Sequence, residues 1–349
     1  MKPIVVAGRK IGAADSCFVI AEAGVNHNGR LDLALKLVDA AVAARADAVK
    51  FQTFKTERLV TRAAPKADYQ KAATRARESQ FAMLKKLELS EQAHLKLFAY
   101  CRQRGIVFLS SPFDEASADF LYELGVPAFK IGSGELTNLP LLEHIACKKR
   151  PIVLSTGMAG LREVETAVRA IRRAGNDQIV LLHCVTQYPA DPSTVNLRAM
   201  ETMRKKFNVP VGFSDHTRGI EAAIGAAALG AAVIEKHFTL DRKMPGPDQR
   251  ASLEPRELAA MVYAIRIVQV ALGDGRKKPQ AAELKVAAVA RKSLVAARAI
   301  RKGARLQKAD IAIKRPGTGL PPSQSRAVLG RVAKANIPEG TVLKAGMFK

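Results

Sequence analysis

Tryptophan is absent from this 349-residue chain, and tyrosine occurs five times. A stacking surface for single-stranded nucleic acid is therefore a poor expectation. Cysteine is also scarce: Cys17, Cys101, Cys147 and Cys184 share no C-x-x-C spacing. That argues against a disulfide framework or a thiolate zinc site and points to reduced thiols. No apolar run approaches the ~18 residues that a membrane span requires. The opening MKPIVVAGRK is too short an apolar stretch for a secretory signal, and Arg9 and Lys10 interrupt it. The expectations are a cytoplasmic location and no membrane partner.

Acidic residues are few, 32 against 56 Lys and Arg, which leaves a formal net charge of +24. The excess is uneven. Residues 276–349 hold eighteen Lys and Arg against three Asp and Glu, so fifteen of the 24 net charges lie there. Nucleic-acid binding, steering of an anionic substrate and a plain solvated surface all fit such a stretch. The stretch shows no evident reading helix, and its one aromatic residue after position 290 is Phe348. Nucleic acid is thus not expected as a partner.

What the chain does have is alternation. Short apolar runs, FVIAEAG (18–24), AVKFQ (48–52), IVFLSSP (106–112) and AFKIGS (128–133), are followed by PIVLSTG (151–157), IVLLHCV (179–185), VPVGFSD (209–215) and AAVIEKHF (231–238). Amphipathic stretches such as 31–46, 90–105 and 161–175 separate them. Strand–helix alternation of this kind predicts parallel β/α units. Polar residues fall at or just past the C-terminal end of at least seven runs: Glu22, Lys50, Gln52, Ser111, Lys130, Ser133, Ser155, His216 and His237. An open sheet presents two or three strand ends at its switch point. A closed (β/α)8 TIM barrel presents all of them at one mouth, and the barrel is the expected fold. It is assigned to residues 1–275, a linker to 276–290, and a compact module to 291–349. In that module Ile300-x-x-Gly303-x-x-Leu306 is echoed by Ile337-x-x-Gly340-x-x-Leu343, on either side of KRPGTGLPPS (314–323).

Lys50 and Lys130 sit inside otherwise apolar runs, and a buried lysine needs a partner. One reading pairs them with carboxylates such as Glu22 or Glu135. The other turns them, with Ser111, Ser133, Ser155 and Ser214, toward a phosphate or carboxylate. His216 and His237 on neighbouring strand ends suit a divalent metal with open positions for substrate. Asp215 and Glu235 are candidate partners behind the imidazoles. His183 reads as core, and His27 as a turn residue.

The motifs AEAGVNHNG (21–29), KFQT (50–53), SPF (111–113), KIGSGE (130–135), LSTGM (154–158), GFSDHT (212–217), EKHFT (235–239), GPD (246–248) and KRPGTG (314–319), with the HC…YP spacing over 183–189, resemble the sialic acid synthase family. The last module resembles the small β-rich SAF (antifreeze-like) domain that follows the barrel in those enzymes. The resemblance implies condensation of phosphoenolpyruvate with a free, open-chain N-acylamino sugar of the N-acetylmannosamine type, giving a nine-carbon keto-deoxy sugar acid and phosphate. It implies that His216 and His237 hold Mn2+, or Mg2+ or Co2+ in its place. Lys50, Ser111, Lys130, Ser133, Ser155 and Ser214 would bind phosphoenolpyruvate, and Glu22, Gln52, Tyr188 and Asp248 would contact the sugar. Arg315 would reach the N-acyl group from the exchanged SAF domain of a homodimer. Glu22 is the first candidate for proton management, with Glu135 and Glu235 behind it. Thr186 replaces an Asn that sialic acid synthases proper often carry two residues before Tyr-Pro. That leaves a 2,4-diacetamido-trideoxy sugar, and a legionaminic-type product, as the alternative. A synthase using a phosphorylated sugar is a further rival, but the strand ends show no second Lys/Arg cluster for it.

Overall fold

The computed structural model describes residues 4–12, 15–74 and 78–349. Residues 1–3 of the opening stretch lie outside them. The described chain divides into two compact units, 1–273 and 274–349. No helix among the described residues is long and apolar enough to cross a membrane.

The first unit opens on an antiparallel hairpin, β1 (Ile4–Val6) and β2 (Arg9–Ile11). All eight apolar runs then form strands: β3 (Phe18–Gly24), β4 (Ala48–Thr53), β5 (Val107–Pro112), β6 (Phe129–Ile131), β7 (Ile152–Ser155), β8 (Ile179–Cys184), β9 (Val211–Asp215) and β10 (Val233–His237). They are hydrogen-bonded in the order β5-β4-β3-β10-β9-β8-β7-β6. Every ladder in this sheet is parallel. β5 and β6, the two ends of the order, lie side by side. The sheet therefore curls into a nearly closed barrel with helices between successive strands.

Strand alternation divides each strand into two faces. Val19, Ala21, Val49, Phe51, Phe108, Leu154 and Ile234 face outward and pack in the large cluster under the helices. The helix Leu161–Arg173 shows why that cluster forms: Val164, Ala167, Val168 and Ile171 recur at helical spacing and are buried. The helix Glu91–Arg104 has the expected ends, with the Ser90 hydroxyl accepting from the Ala93 N–H and Gly105 left-handed at φ 71°. The inward residues Phe18, Ile20, Ala48, Leu109, Val153, Val180 and Val233 fill the lower barrel as a second cluster. Toward the C-terminal ends of these strands the inward positions turn polar, at Glu22, Lys50, Ser111, Ser155 and Glu235, and the barrel becomes a site.

Ile4, Val6 and Ile11 of the hairpin join the inner cluster and stopper the barrel at its N-terminal end. Asp47 fastens this end, accepting from the Val19 N–H at 2.7 Å and from Arg266 Nη2 at 2.7 Å, and pairing with Arg9. The opening stretch, read from sequence only as non-secretory, is thus part of the barrel's core.

In the second unit, a helix at Ala281–Ala290 precedes β11 (Ser293–Ala296), which pairs antiparallel with β12 (Ile311–Lys314). Ile300, Leu306, Ile337 and Leu343, the apolar residues of the sequence repeat, share one core. The two copies pair with each other: Ile300 and Ile337 exchange backbone hydrogen bonds, both of 2.8 Å. Gly303 and Gly340 have φ of 83° and 78°, which a side chain would resist.

Ile11 is fully buried in the inner cluster. Ile11→Ala should lower unfolding free energy by about 2–5 kcal/mol in urea titration. A loss under about 1 kcal/mol would show that the hairpin is not part of the barrel's core.

Candidate active site

The C-terminal mouth of the barrel holds a cavity of about 200 Å³. Its floor is a buried charge network. Lys50 Nζ from β4 lies 2.9 Å from Glu22 Oε2 of β3 and donates to Ser111 Oγ of β5 at 3.0 Å. Lys130 Nζ from β6 donates to Ser155 Oγ of β7 at 2.8 Å. Glu235 from β10 lies between the two ammonium groups, 3.8 Å from Lys50 and 3.4 Å from Lys130. It also accepts from Ser214 Oγ of β9 at 2.9 Å. Neighbouring strands around the barrel thus contribute to one network without exposing it.

The two carboxylates are held differently. Burial pushes Glu22 up to about 7, against the pull of Lys50. Burial would raise Glu235 as well, but Lys130 and Lys50 overcome it and hold the group down at about 2. Burial lowers Lys130 below its ordinary value, with Glu235 opposing. At Lys50 burial also favours the neutral amine, yet Glu22 and Glu235 keep the group above its usual range. Glu235 is a fixed negative charge, and Glu22 is poised to exchange a proton near neutrality.

The imidazoles stand beside this floor with ring centroids 5.4 Å apart. The Nδ1 of His216 lies 2.7 Å from the Val185 carbonyl, so that nitrogen is the donor, and in the neutral ring Nε2 carries the lone pair. The Nδ1 of His237 is buried without a hydrogen-bond partner, 4.0 Å from Asp248 Oδ2. Burial, then His216, hold His237 well below its ordinary pKa, which leaves a neutral ring. At His216 burial works the same way, but Cys184 and the Val185 carbonyl raise the group instead. Burial lifts Asp248 to about 6, His216 opposing. Among the described residues no group of three or more His, Cys, Asp or Glu forms a metal cluster. The donors that the cavity offers are two imidazoles, one with an orphaned buried nitrogen, and a nearby carboxylate. Such a set fits a divalent ion with several positions left open.

Gln52, Ser133, Thr186 and Tyr188 also line the cavity. Tyr188 packs on His216 at 4.1 Å between centroids. A Cβ on Gly157 would lie 2.1 Å from Thr186 Oγ1 and 2.8 Å from Ser133 Oγ, so only glycine lets these two side chains approach. One residue proposed for the site from the sequence lies elsewhere, and the expected ion pairs are rearranged. Glu135 does not line the cavity; it ends a short 3-10 turn and accepts from Asn138 Nδ2 at 2.7 Å. Arg315 is exposed just past β12, in the other unit. Lys130 pairs with Glu235 rather than Glu135, and Asp215 pairs with Lys236 away from the cavity, so neither Asp215 nor Glu235 backs an imidazole as expected.

Residues 37–277 match the NeuB family, and residues 291–349 match the SAF domain. The chain belongs to the NeuB family. It is 48% identical over 336 residues to the N,N'-diacetyllegionaminic acid synthase of Legionella pneumophila, covering 95% of this chain and 94% of that one. It is 36% identical over 335 residues to the human N-acetylneuraminate-9-phosphate synthase, covering 95% and 92%. The crystal structure of the N-acetylneuraminic acid synthetase of Leptospira borgpetersenii superposes with a TM-score of 0.73 at 36% identity, over 82% of this chain and 95% of that one.

Four cavity residues of this NeuB-family chain lie outside its motifs: Tyr69, Gln70, Met83 and Leu84. Tyr69 and Gln70 come from the helix Asp68–Ala73, in the long excursion between β4 and β5. The Tyr69 ring stacks on Tyr188 at 5.0 Å. Cys184 faces inward from β8, and the strand's alternation was the available signal for it.

Because Glu22 is raised, it also links stability to pH. The native carboxyl keeps its proton up to about 7, whereas the unfolded one loses it near 4.5. The native state binds more protons in that window, so this group's contribution falls as pH rises from about 4.5 to 7 and is flat above. Glu22→Gln should flatten that segment of the unfolding free energy against pH. An unchanged slope would contradict the protonated Glu22.

Proposed function

We propose that this chain joins phosphoenolpyruvate to the aldehyde carbon of a free, open-chain N-acylated amino sugar, with water, to give a sugar acid and phosphate. The observation that carries this reading is the pair of buried lysines, with serine hydroxyls, directly beside two imidazoles at one barrel mouth. The names of the relatives above support the same class of product.

Lys50 and Lys130, with Ser111, Ser133, Ser155 and Ser214, hold the carboxylate and phosphate of the enol ester by charge-assisted hydrogen bonds. Glu235 keeps the two ammonium groups apart and oriented. The enol electron pair of the held ester forms the new bond to the aldehyde carbon, and the carbonyl pair moves to oxygen, which takes a proton. Water adds to the former enol carbon and gives up a proton. The carbon–oxygen bond to phosphate then breaks, and phosphate leaves with the electron pair while the new hydroxyl becomes the ketone. Glu22, with a pKa near neutrality, is the group suited to relay these protons. Holding both reactants in one cavity supplies a large share of the acceleration, roughly 7–11 kcal/mol in favourable cases.

His216 and His237 would hold a divalent ion, Mn2+ by preference, with Asp248 alongside. Such an ion supplies Lewis-acid polarisation of the aldehyde. Gln52, Thr186, Tyr188 and Asp248 line the part of the cavity left for the sugar. The higher identity to a diacetyllegionaminic acid synthase, together with Thr186, favours a 2,4-diacetamido-trideoxy sugar over N-acetylmannosamine.

Phosphate release should require phosphoenolpyruvate, Mn2+ and a free N-acyl sugar, with the diacetamido sugar giving the highest kcat/KM in a panel that includes N-acetylmannosamine and a phosphorylated sugar. Preference for the phosphorylated sugar would overturn the free-sugar reading. Excess chelator should abolish turnover and Mn2+ or Co2+ restore it; full rate in chelator would contradict the metal role.

A further inference from the structure

The two strand ends that carry the imidazoles are tied together on the side that the cavity does not see. Alternation sends Ser214, His216, Glu235 and His237 into the barrel mouth and turns Asp215 and Lys236 outward, toward the helix Glu221–Ala228. Asp215 and Lys236 are register partners on neighbouring strands. Lys236 Nζ lies 2.8 Å from Asp215 Oδ2, and both side chains are fully buried. The same ammonium donates to the Thr217 carbonyl at 2.6 Å. The other oxygen of Asp215 accepts from the Thr217 N–H and the Thr217 hydroxyl, each at 2.8 Å. The residues on both sides of His216 are therefore bonded to the residue immediately before His237.

Stability alone is a weak reason for such a pair. Taking two charges fully out of water is expensive, and an apolar pair of similar volume is often as stable or more so. The surroundings here are the apolar outer cluster, in which Phe213 and Ile234 from the same two strands already pack. What an apolar pair does not supply is direction. Four directed contacts converge on the 215–217 turn, and His216 is further held by the Ala190 N–H on its carbonyl at 2.8 Å and by its own Nδ1 on Val185. Main-chain freedom at His216 relative to β10 is removed.

We infer that the Asp215–Lys236 pair is a positioning device: it sets the separation and orientation of His216 and His237, and through them the affinity of the divalent-ion site. The inference rests on the two-histidine reading above. Loss of a partner that orients a ligand typically weakens metal binding by about 10–100-fold, and the same scale is expected here although the pair acts through the main chain.

The test is Co2+ titration of the full-length protein, following the visible d–d absorption of the bound ion, with thermal unfolding in parallel. Lys236→Met should raise the Co2+ Kd by about 10–100-fold and change the band shape, while phosphoenolpyruvate KM stays near the wild-type value. Val168→Ala, in the outer cluster on another helix, should lower Tm without changing Co2+ affinity or spectrum. If Lys236→Met does not fold, Thr217→Val, which removes one bond and keeps the shape, should give a smaller shift in the same direction. Wild-type Kd and spectrum in the folded variant used would overturn the positioning role. His216→Ala distinguishes the two failures: wild-type Co2+ affinity in that variant overturns the two-histidine reading itself, whereas lost affinity there beside unchanged affinity in Lys236→Met overturns only the inference.

Discussion

The site depends on one buried carboxylate. Glu235 lies between Lys50 and Lys130, and each ammonium is within 4 Å of it. Without it, two like charges would face each other in a medium that screens them poorly, and each would tend to lose its proton. With it, both lysines keep fixed places on the floor of the cavity, and their remaining donors point to serine hydroxyls. Buried ion networks of this kind add little net stability. On the proposed function, their value is orientation of the groups that would hold an anion.

The barrel makes that orientation possible. Parallel ladders fix the height of each strand: Glu22 on β3 is the register partner of Lys50 on β4, and Glu235 on β10 stands beside Ile20, two residues before Glu22, within 4 Å of the same ammonium. The lower, apolar layers and the hairpin stopper hold the strands in register beneath them. The same alternation allocates residues by face: inward ones line the cavity, outward ones pack under helices or, at Asp215 and Lys236, tie the strand ends together.

Most of the fold was legible because each polar interruption of an apolar run marked a strand end. In the structure, period two sorts these residues by face: it sends Cys184 into the mouth and turns Asp215 away. Glu135 was misplaced because motif proximity to Lys130 is not spatial proximity; the short turn after β6 carries its carboxylate to Asn138 instead. Tyr69 and Gln70 were illegible for another reason. They lie in an irregular excursion, where no periodicity says which side chain returns to the mouth. The hairpin's role was hidden because three-residue strands carry too little pattern to distinguish a stopper from a loose terminus.

The most direct measurement of the central claim is calorimetric binding of phosphoenolpyruvate alone to the folded Lys130→Met protein. If the lysine pair bridged by Glu235 is the anion cradle, affinity should fall by at least about 100-fold, the loss of a charge-assisted contact of about 3 kcal/mol, with the fold retained by circular dichroism. Binding as tight as in the unaltered protein would contradict the account.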